Sequence, residues 1–150
     1  MIQLPDFLKT FDYENNFYLS CTSSRIAKAS AHFKLLEKTM AIDGDIVECG
    51  VFKGASFSRF AMYRNILNLE DKRMIGFDSF GDFPETSYND DKELRLKFIE
   101  VTGGQSISKE QLINVLENKK CERNVELVEG DITKTIPEFV RNNPDIKISM

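Results

Sequence analysis

The sequence predicts an α/β protein with a parallel sheet of the Rossmann type, and three observations predict it. A short β-prone run that ends near Glu48 meets two glycines four residues apart, and a helical pattern begins at Ser56. A second apolar run ends at Asp78, and a third occupies residues 125–129. Because helical segments separate these runs, the strands are expected to be parallel and joined by right-handed crossovers.

Composition limits the classes of function. The chain has 150 residues, of which 41% are hydrophobic, which is enough for one domain with a single core. A net charge of −4 and the lack of a basic run longer than Lys119-Lys120 argue against a general nucleic-acid binder. No export signal and no membrane-spanning apolar stretch is present, so no membrane partner is expected. The cysteines at 21, 49 and 121 show no zinc spacing, and their odd number suits a reducing compartment, the cytoplasm.

The first half of the chain divides into an arm, a helix and one βαβ unit. Residues 1–21 hold aromatic residues without a clean period and are expected to form an irregular arm or a short helix that packs on the domain or on a partner. From Thr22 apolar residues recur at helical spacing, which predicts a helix that ends before Gly44. After the glycine turn a helix is predicted to about Leu69, followed by a strand through Asp78.

The second half of the chain holds further helices and strands. A helix is predicted from about residue 90 to 101, with Leu94 and Phe98 facing inward, and Gly103-Gly104 ends it. The spacing of Ser108 and Gln111 is that of a capping box, which predicts a helix ending near residue 119. The remaining elements are a third strand at 125–129, a short helix starting at Thr133 or Thr135 and reaching Val140, and a fourth strand that begins at residue 146.

The glycine turn has the features of a site for a zwitterionic ligand. The turn is Gly50-x-x-x-Gly54 and lacks the G-x-G of a dinucleotide fingerprint. Glu48 would repel a diphosphate but suits an ammonium group, while the helix N-terminus near Gly54, Ala55 and Ser56 suits a carboxylate. S-adenosylmethionine carries such an amino-acid moiety. The alternative is a tight strand-to-helix connection without a ligand.

Asp78 ends the second strand and is placed to accept both hydroxyls of a ribose. In that role its replacement would weaken ligand binding and leave the stability of the fold nearly unchanged. The alternative is a surface carboxylate without a ligand. The loop at 79–88 either faces the ligand or is an ordinary connector in which Phe80 and Phe83 fill the core.

Three motifs in order resemble the macrocin O-methyltransferase (TylF-type) family of S-adenosylmethionine-dependent methyltransferases. They are residues 44–56, with the pattern E-x-G-x-x-x-G, residues 76–80, and residues 128–132 followed by 135–137. Residues 22–36 are also similar to the leading helix of that family. The resemblance covers about residues 20–150.

The resemblance implies a class I methyltransferase sheet, apparently truncated after about the fourth strand, with an N-terminal arm at 1–21 and a cofactor-binding part at 22–150. It implies a cofactor-binding set: Glu48, Gly50, Gly54, Ala55 and Ser56 for the methionine part, Asp78 for the ribose, and Asp131 and Ile132 for the adenine edge. Ser79, adjacent to Asp78, also belongs to this set. Asp131 is equally well suited to cap the helix that follows it.

By this resemblance the chain is the cofactor-binding half of an O-methyltransferase that acts on a hydroxyl of a sugar or glycosylated natural product. Family members carry a D-x-D-like strand for Mg²⁺ after the point where this chain ends, so no metal ligand and no catalytic base is assigned here. A homo-oligomer is expected. Two other classes stay open: a nucleotide- or NAD-binding protein, and a non-catalytic interaction module.

Overall fold

The computed structural model describes residues 1–85 and 88–150. A 3₁₀ turn at Phe7–Lys9 leads into the first helix. The elements in chain order are α1 (Thr10–Ser20), α2 (Ser23–Thr39), β1 (Ile46–Cys49), α3 (Ala55–Ile66), β2 (Met74–Asp78), α4 (Asn89–Thr102), α5 (Lys109–Asn118), β3 (Val125–Glu129) and α6 (Ile132–Asn142).

The three strands form a parallel sheet in the order β1-β2-β3. Gly76 of β2 is level with Glu48 of β1 and with Leu127 of β3, and Asp78 is level with Glu129. The strands therefore end at nearly the same height, and the loops that follow them meet at one edge of the sheet. The predicted α/β fold with a parallel sheet is confirmed.

Helices cover both faces of the sheet. On one face α2, α3 and α5 contribute Leu36, Phe57 and Leu112 to the main core, against Met74 of β2. On the other face Phe139 of α6 packs against Ile75 and Phe77. Because β2 is buried on both faces, its sequence is a nearly continuous apolar run, which is typical of parallel strands in α/β proteins.

The end of the chain lies along the free edge of β1. The N–H of Asp45 donates to the carbonyl of Lys147 (2.8 Å), and the N–H of Val47 donates to that of Met150 (2.7 Å). A single parallel bridge joins Asp45 to Ile148. The predicted fourth strand is thus present in position and direction, but one bridge is too little to count as a strand.

A buried arginine ties α3 to the segments that enter β2 and β3. Arg64 is fully buried, and its guanidinium donates to the carbonyls of Lys72 (2.9 Å), Cys121 (3.2 Å), Arg123 and Asn124 (3.3 Å). Burial lowers the pKa of Arg64. These bonds hold the amino ends of both strands at one level and so help to align their carboxyl ends.

The N-terminal segment combines a packed part with an exposed helix. Ile2, Leu4 and Phe7 pack against the main core, and the side chain of Gln111 donates to the carbonyl of Ile2 (2.7 Å). In contrast, every residue of α1 is exposed. Of the two expected forms, an irregular arm or a short helix, the helix is therefore present, with 11 residues.

Three predictions about the helices can be compared with the structure. The capping box is present, because the hydroxyl of Ser108 accepts from the N–H of Gln111 and the side chain of Gln111 accepts from the N–H of Ser108. The inward orientation of Leu94 is wrong, since this side chain is 65% exposed. Helix α6 begins at Ile132 and not at Thr133 or Thr135, because Asp131 caps it, as the alternative interpretation of Asp131 expected.

Candidate functional site

The turn after β1 is built from residues in left-handed backbone conformations. Gly50 has a φ of 90°, Phe52 of 53° and Gly54 of 77°. This conformation is costly for Phe52, which has a side chain, so other bonds must hold it. Its N–H donates to the Oδ2 atom of Asp78 (2.8 Å), and its carbonyl accepts from the N–H of Ile107 (2.9 Å).

The two glycines of the turn have different environments. A Cβ atom on Gly50 would meet nothing within 4 Å, so the backbone here is open to a ligand. A Cβ atom on Gly54 would lie 3.1 Å from Leu112 and 3.5 Å from Ile107, which places Gly54 against the core. Gly50 thus allows close approach from outside, whereas Gly54 allows the turn to pack and α3 to begin.

The N-terminus of α3 has no side-chain cap. Gly54 occupies the N-cap position, and no side chain of the described residues accepts from the first turn. The N–H groups of Ala55 and Ser56 have no acceptor within the helix, because the first N–H groups of a helix lack one. Together with the helix dipole they form a site suited to an anion such as a carboxylate.

Glu48 lies beside this helix start and is only partly satisfied. Its Oε1 atom accepts from the hydroxyl of Ser56, while its Oε2 atom is buried and has no partner among the described residues. Burial raises the pKa of Glu48, and the nearby cations of Lys28 and Arg59 oppose that shift. A buried carboxylate oxygen without a donor is costly, and a ligand ammonium group would satisfy it.

Asp78 joins the turn after β1 to the loop after β2. Its Oδ2 atom accepts from the N–H of Phe52, and its Oδ1 atom accepts from the N–H of Phe80 (3.0 Å) and more weakly from the hydroxyl of Ser79 (3.4 Å). Each carboxylate oxygen has two lone pairs, so Oδ2 can still accept a hydrogen bond from a ligand, and Oδ1 can accept one in place of the weak bond from Ser79. Asp78 therefore also has a structural role, which its position at a strand end did not indicate.

Asp131 caps α6, as one of the two sequence interpretations expected. Its Oδ1 atom accepts from the N–H (3.0 Å) and the hydroxyl (2.7 Å) of Thr133. These bonds lower the pKa of Asp131. Its Oδ2 atom has only a distant contact with Lys134 (3.7 Å) and remains available to a ligand.

A cavity of about 430 Å³ lies over the carboxyl ends of the strands. Five residues of the predicted set line it, namely Gly50, Asp78, Ser79, Asp131 and Ile132. The other four, Glu48, Gly54, Ala55 and Ser56, do not line it. Glu48 instead lines a smaller cavity of about 170 Å³ with His32 and Met150. The predicted residues thus form two neighbouring groups, connected through the turn at 50–54.

Aromatic side chains that sequence reasoning did not assign to the site form one wall of the larger cavity. The ring centroids of Phe52 and Phe83 are 6.1 Å apart, those of Phe52 and Phe98 5.4 Å, and those of Phe83 and Phe98 5.2 Å. Ser106, Pro84 and Gly130 complete the lining. The inward orientation predicted for Phe98 and the loop position of Phe83 were the available signals, whereas nothing in the sequence marked Phe52.

The loop at 79–88 was expected either to face the ligand or to fill the core with Phe80 and Phe83, and each expectation is correct for one of these two rings. Phe80 is buried in the main core, as an ordinary connector would place it, while Phe83 faces the cavity. Thr86 and Ser87 of this loop lie outside the described residues.

The family comparison agrees with this geometry. The model of the macrocin O-methyltransferase (TylF) family matches residues 20–147. The chain belongs to this family. A comparison with curated proteins gave no match.

Solved structures similar to this TylF-family chain are also methyltransferases. The calicheamicin methyltransferase CalS11 has 23% sequence identity and a TM-score of 0.69, and the match covers 93% of this chain and 57% of that one. An apo structure of CalS11, described as a TDP-rhamnose 3'-O-methyltransferase, has 22% identity and a TM-score of 0.56, with 91% of this chain and 54% of that one covered. The O-methyltransferase NovP has 20% identity and a TM-score of 0.62, with 73% of this chain and 47% of that one covered. At these identities the likeness shows the fold. The chain spans about half the length of these proteins.

None of the helices that the structure describes has the length and apolar character needed to cross a bilayer. Within residues 1–85 and 88–150, no three His, Cys, Asp or Glu side chains come together in a group suited to a metal ion.

Proposed function

We propose that this chain binds S-adenosylmethionine and forms the cofactor-binding part of an O-methyltransferase for a hydroxyl of a sugar or glycosylated natural product. The observation that carries the proposal is the partly satisfied Glu48 beside the uncapped N-terminus of α3, next to a cavity lined by Asp78. Family membership and the sugar-modifying activity named for one CalS11 structure support the reaction and the acceptor class.

The residues present fit this cofactor. The Oε2 atom of Glu48 would accept from the ammonium group, and the N–H groups of Ala55 and Ser56 would donate to the carboxylate. Asp78 would accept from ribose hydroxyls, and Asp131 and Ile132 would contact the adenine edge. A volume of about 430 Å³ is within the range of small-molecule sites. When bound, the sulfonium group supplies an electrophilic methyl group.

This chain contributes binding and orientation to the reaction. The bonds from Phe52 and Phe80 fix the Asp78 carboxylate at the mouth of the cavity, so the ribose is held without further ordering of that side chain. The wall formed by Phe52, Phe83 and Phe98 excludes water from one side of the cavity. The acceptor hydroxyl must lose its proton as it attacks, and we assign this step to residues outside 1–150.

Three further features belong to the proposal. A magnesium ion, with ligands outside residues 1–150, would lower the pKa of the acceptor hydroxyl, and chelation of the full-length enzyme tests it. A cytoplasmic location is supported by the free thiols of Cys21, Cys49 and Cys121, and cell fractionation tests it. Self-association into a homo-oligomer is supported by the exposed helix α1.

Calorimetric titration tests the cofactor assignment. S-adenosylhomocysteine is expected to bind the 150-residue chain, and NAD is expected not to bind, because Glu48 and the missing G-x-G disfavour a diphosphate. Glu48→Gln should weaken binding of S-adenosylhomocysteine, whereas the exposed Glu117→Gln serves as a matched control and should not. Tighter binding of NAD than of S-adenosylhomocysteine would contradict the proposal.

A further inference from the structure

Phe52 combines a left-handed backbone with a large side chain. Its φ is 53°, and the glycines two residues before and after it, Gly50 and Gly54, have φ values of 90° and 77°. A glycine at position 52 would adopt this conformation without a steric cost, whereas phenylalanine adopts it only where other contacts compensate. The contacts of the ring, and not the turn itself, must therefore account for a phenylalanine at this position.

The ring of Phe52 belongs to the cavity wall and not to the core. Among the described residues, it is part of neither cluster of buried apolar side chains. It packs against Phe83 and Phe98, at centroid distances of 6.1 and 5.4 Å, and Phe98 is itself 41% exposed. All three rings line the cavity of about 430 Å³ at the carboxyl ends of the strands. The ring of Phe52 therefore faces the space that a ligand would fill.

Phe52 lies between the two groups of residues that would bind the cofactor. Its N–H donates to Asp78, the ribose acceptor of the proposed function, at 2.8 Å. Two residues later, Gly54 is the N-cap of α3, where the N–H groups suited to the methionine carboxylate begin. In S-adenosylmethionine the sulfonium atom joins the methionine chain to the C5′ atom of the ribose. A cofactor held by both groups of residues therefore has its sulfonium beside the turn that carries Phe52.

The rings of this wall are already in contact with cations. The ammonium group of Lys53 lies 5.5 Å from the centroid of Phe52, and the guanidinium group of Arg95 lies 6.0 Å from that of Phe83. Both distances are within the range in which the negative face of a ring attracts a positive charge. Neither cation lines the cavity, so the side of the Phe52 ring that lines it is open to a cationic ligand. Because Lys53 is exposed, solvent screens its repulsion of a second cation.

We propose that Phe52 is a specificity-determining residue that recognises the positive charge of the cofactor. Its ring packs against the sulfonium group, and this contact strengthens the binding of S-adenosylmethionine and not that of S-adenosylhomocysteine. Methyl transfer leaves the electron pair of the broken S–C bond on sulfur, so the product is neutral and loses the contact, which promotes its release. The inference rests on the proposed function, because it requires that S-adenosylmethionine binds in this cavity.

The ratio of two affinities tests this role. Calorimetric titration of the 150-residue chain gives the dissociation constants of S-adenosylmethionine and S-adenosylhomocysteine. Phe52→Leu keeps an apolar side chain but removes the π face, so it should shift the ratio against S-adenosylmethionine about 3- to 10-fold. Phe52→Tyr keeps the π face and should keep the wild-type ratio. Sinefungin, in which a protonated amine replaces the S-methyl group, should be weakened by Phe52→Leu by the same factor as S-adenosylmethionine.

Controls separate the effect of charge from the loss of packing. Phe98→Leu removes a ring of the same wall that is not part of the turn, so it should leave the ratio unchanged. Phe52→Gly removes the ring and also relieves the strained backbone, so it provides a second variant that should shift the ratio as Phe52→Leu does. Melting curves without ligand show that each variant is folded.

The outcomes distinguish this inference from the proposed function. An unchanged ratio in the folded Phe52→Leu and Phe52→Gly variants, or an equal shift in Phe98→Leu, would overturn the inference and leave the proposed function intact. A loss of affinity for S-adenosylmethionine that sinefungin does not share would also overturn it, since the ring would then recognise the methyl group and not the charge. A wild-type chain that binds none of the three ligands would contradict the proposed function and the inference with it.

Discussion

Replacement of Asp78 should weaken both cofactor binding and the stability of the fold. Its carboxylate accepts from two backbone N–H groups, those of Phe52 and Phe80, at 2.8 and 3.0 Å. A hydrogen bond to a charged acceptor contributes roughly 1.5–3 kcal/mol, so removing both, at a half-buried site, should lower the free energy of unfolding by about 2–4 kcal/mol. The earlier expectation of an unchanged stability considered only the strand end and not these two bonds.

The two substitutions of Asp78 should differ in degree. Asp78→Ala removes both acceptors, whereas Asp78→Asn keeps one oxygen and places an NH₂ group opposite the other N–H donor. Asn should therefore retain part of the stability and lose nearly as much affinity, because the ribose hydroxyls also lose an acceptor. We expect about 10- to 100-fold weaker binding of S-adenosylhomocysteine for both.

Two measurements separate the effect on stability from the effect on affinity. Calorimetry without ligand gives the stability of the fold, and titration with S-adenosylhomocysteine below the unfolding temperature gives the affinity. Asp82→Ala is a suitable control, because this acid is in the same loop, is exposed, and its carboxylate accepts no hydrogen bond among the described residues. Unchanged affinity in folded Asp78 variants would remove the carboxylate from the binding site. Unchanged melting temperatures in both variants would refute the structural role derived from the two bonds.

Three other substitutions should have distinct effects. Burial raises the pKa of Glu48, so the folded state holds its proton more tightly, and stability falls as pH rises from the ordinary glutamate pKa through the raised one. Glu48→Gln should abolish that slope and raise the melting temperature at neutral pH, and melting curves across pH check it. Arg64→Met should destabilise the domain by roughly 3–5 kcal/mol in urea unfolding, because the carbonyls of Lys72, Cys121 and Arg123 lose their donor, whereas that of Asn124 keeps the N–H of Met74. Arg64→Lys should recover only part of this stability. Ser108→Ala should cost about 1 kcal/mol by the same assay, since it removes the N-cap of α5, and an equal cost for the exposed Ser20→Ala would argue against a specific cap.

Local patterns in the sequence were sufficient for the architecture. Short β-prone runs separated by helical segments permit little besides a parallel sheet with crossovers, and β2 and β3 lie where those runs are. The capping box at Ser108 and the glycine turn at 50–54 also depend on neighbouring residues alone. Because the loops that follow parallel strands meet at one edge, placing Gly50, Asp78 and Asp131 around one cavity required no knowledge of long-range packing.

The tertiary structure decided the features that depend on contacts between distant segments. The bond from Phe52 to Asp78 joins residues 26 positions apart, and it forms only when the turn after β1 adopts a left-handed conformation at a phenylalanine. The aromatic wall arises where Phe52, Phe83 and Phe98 meet, and the different environments of Gly50 and Gly54 reflect which of them faces α5. The exposure of α1 likewise could not be predicted from its sequence, because a run of aromatic residues can lie either in a core or on a surface. Side-chain periodicity specifies which face of an element is apolar, but only the packing of the remaining elements determines whether that face is covered.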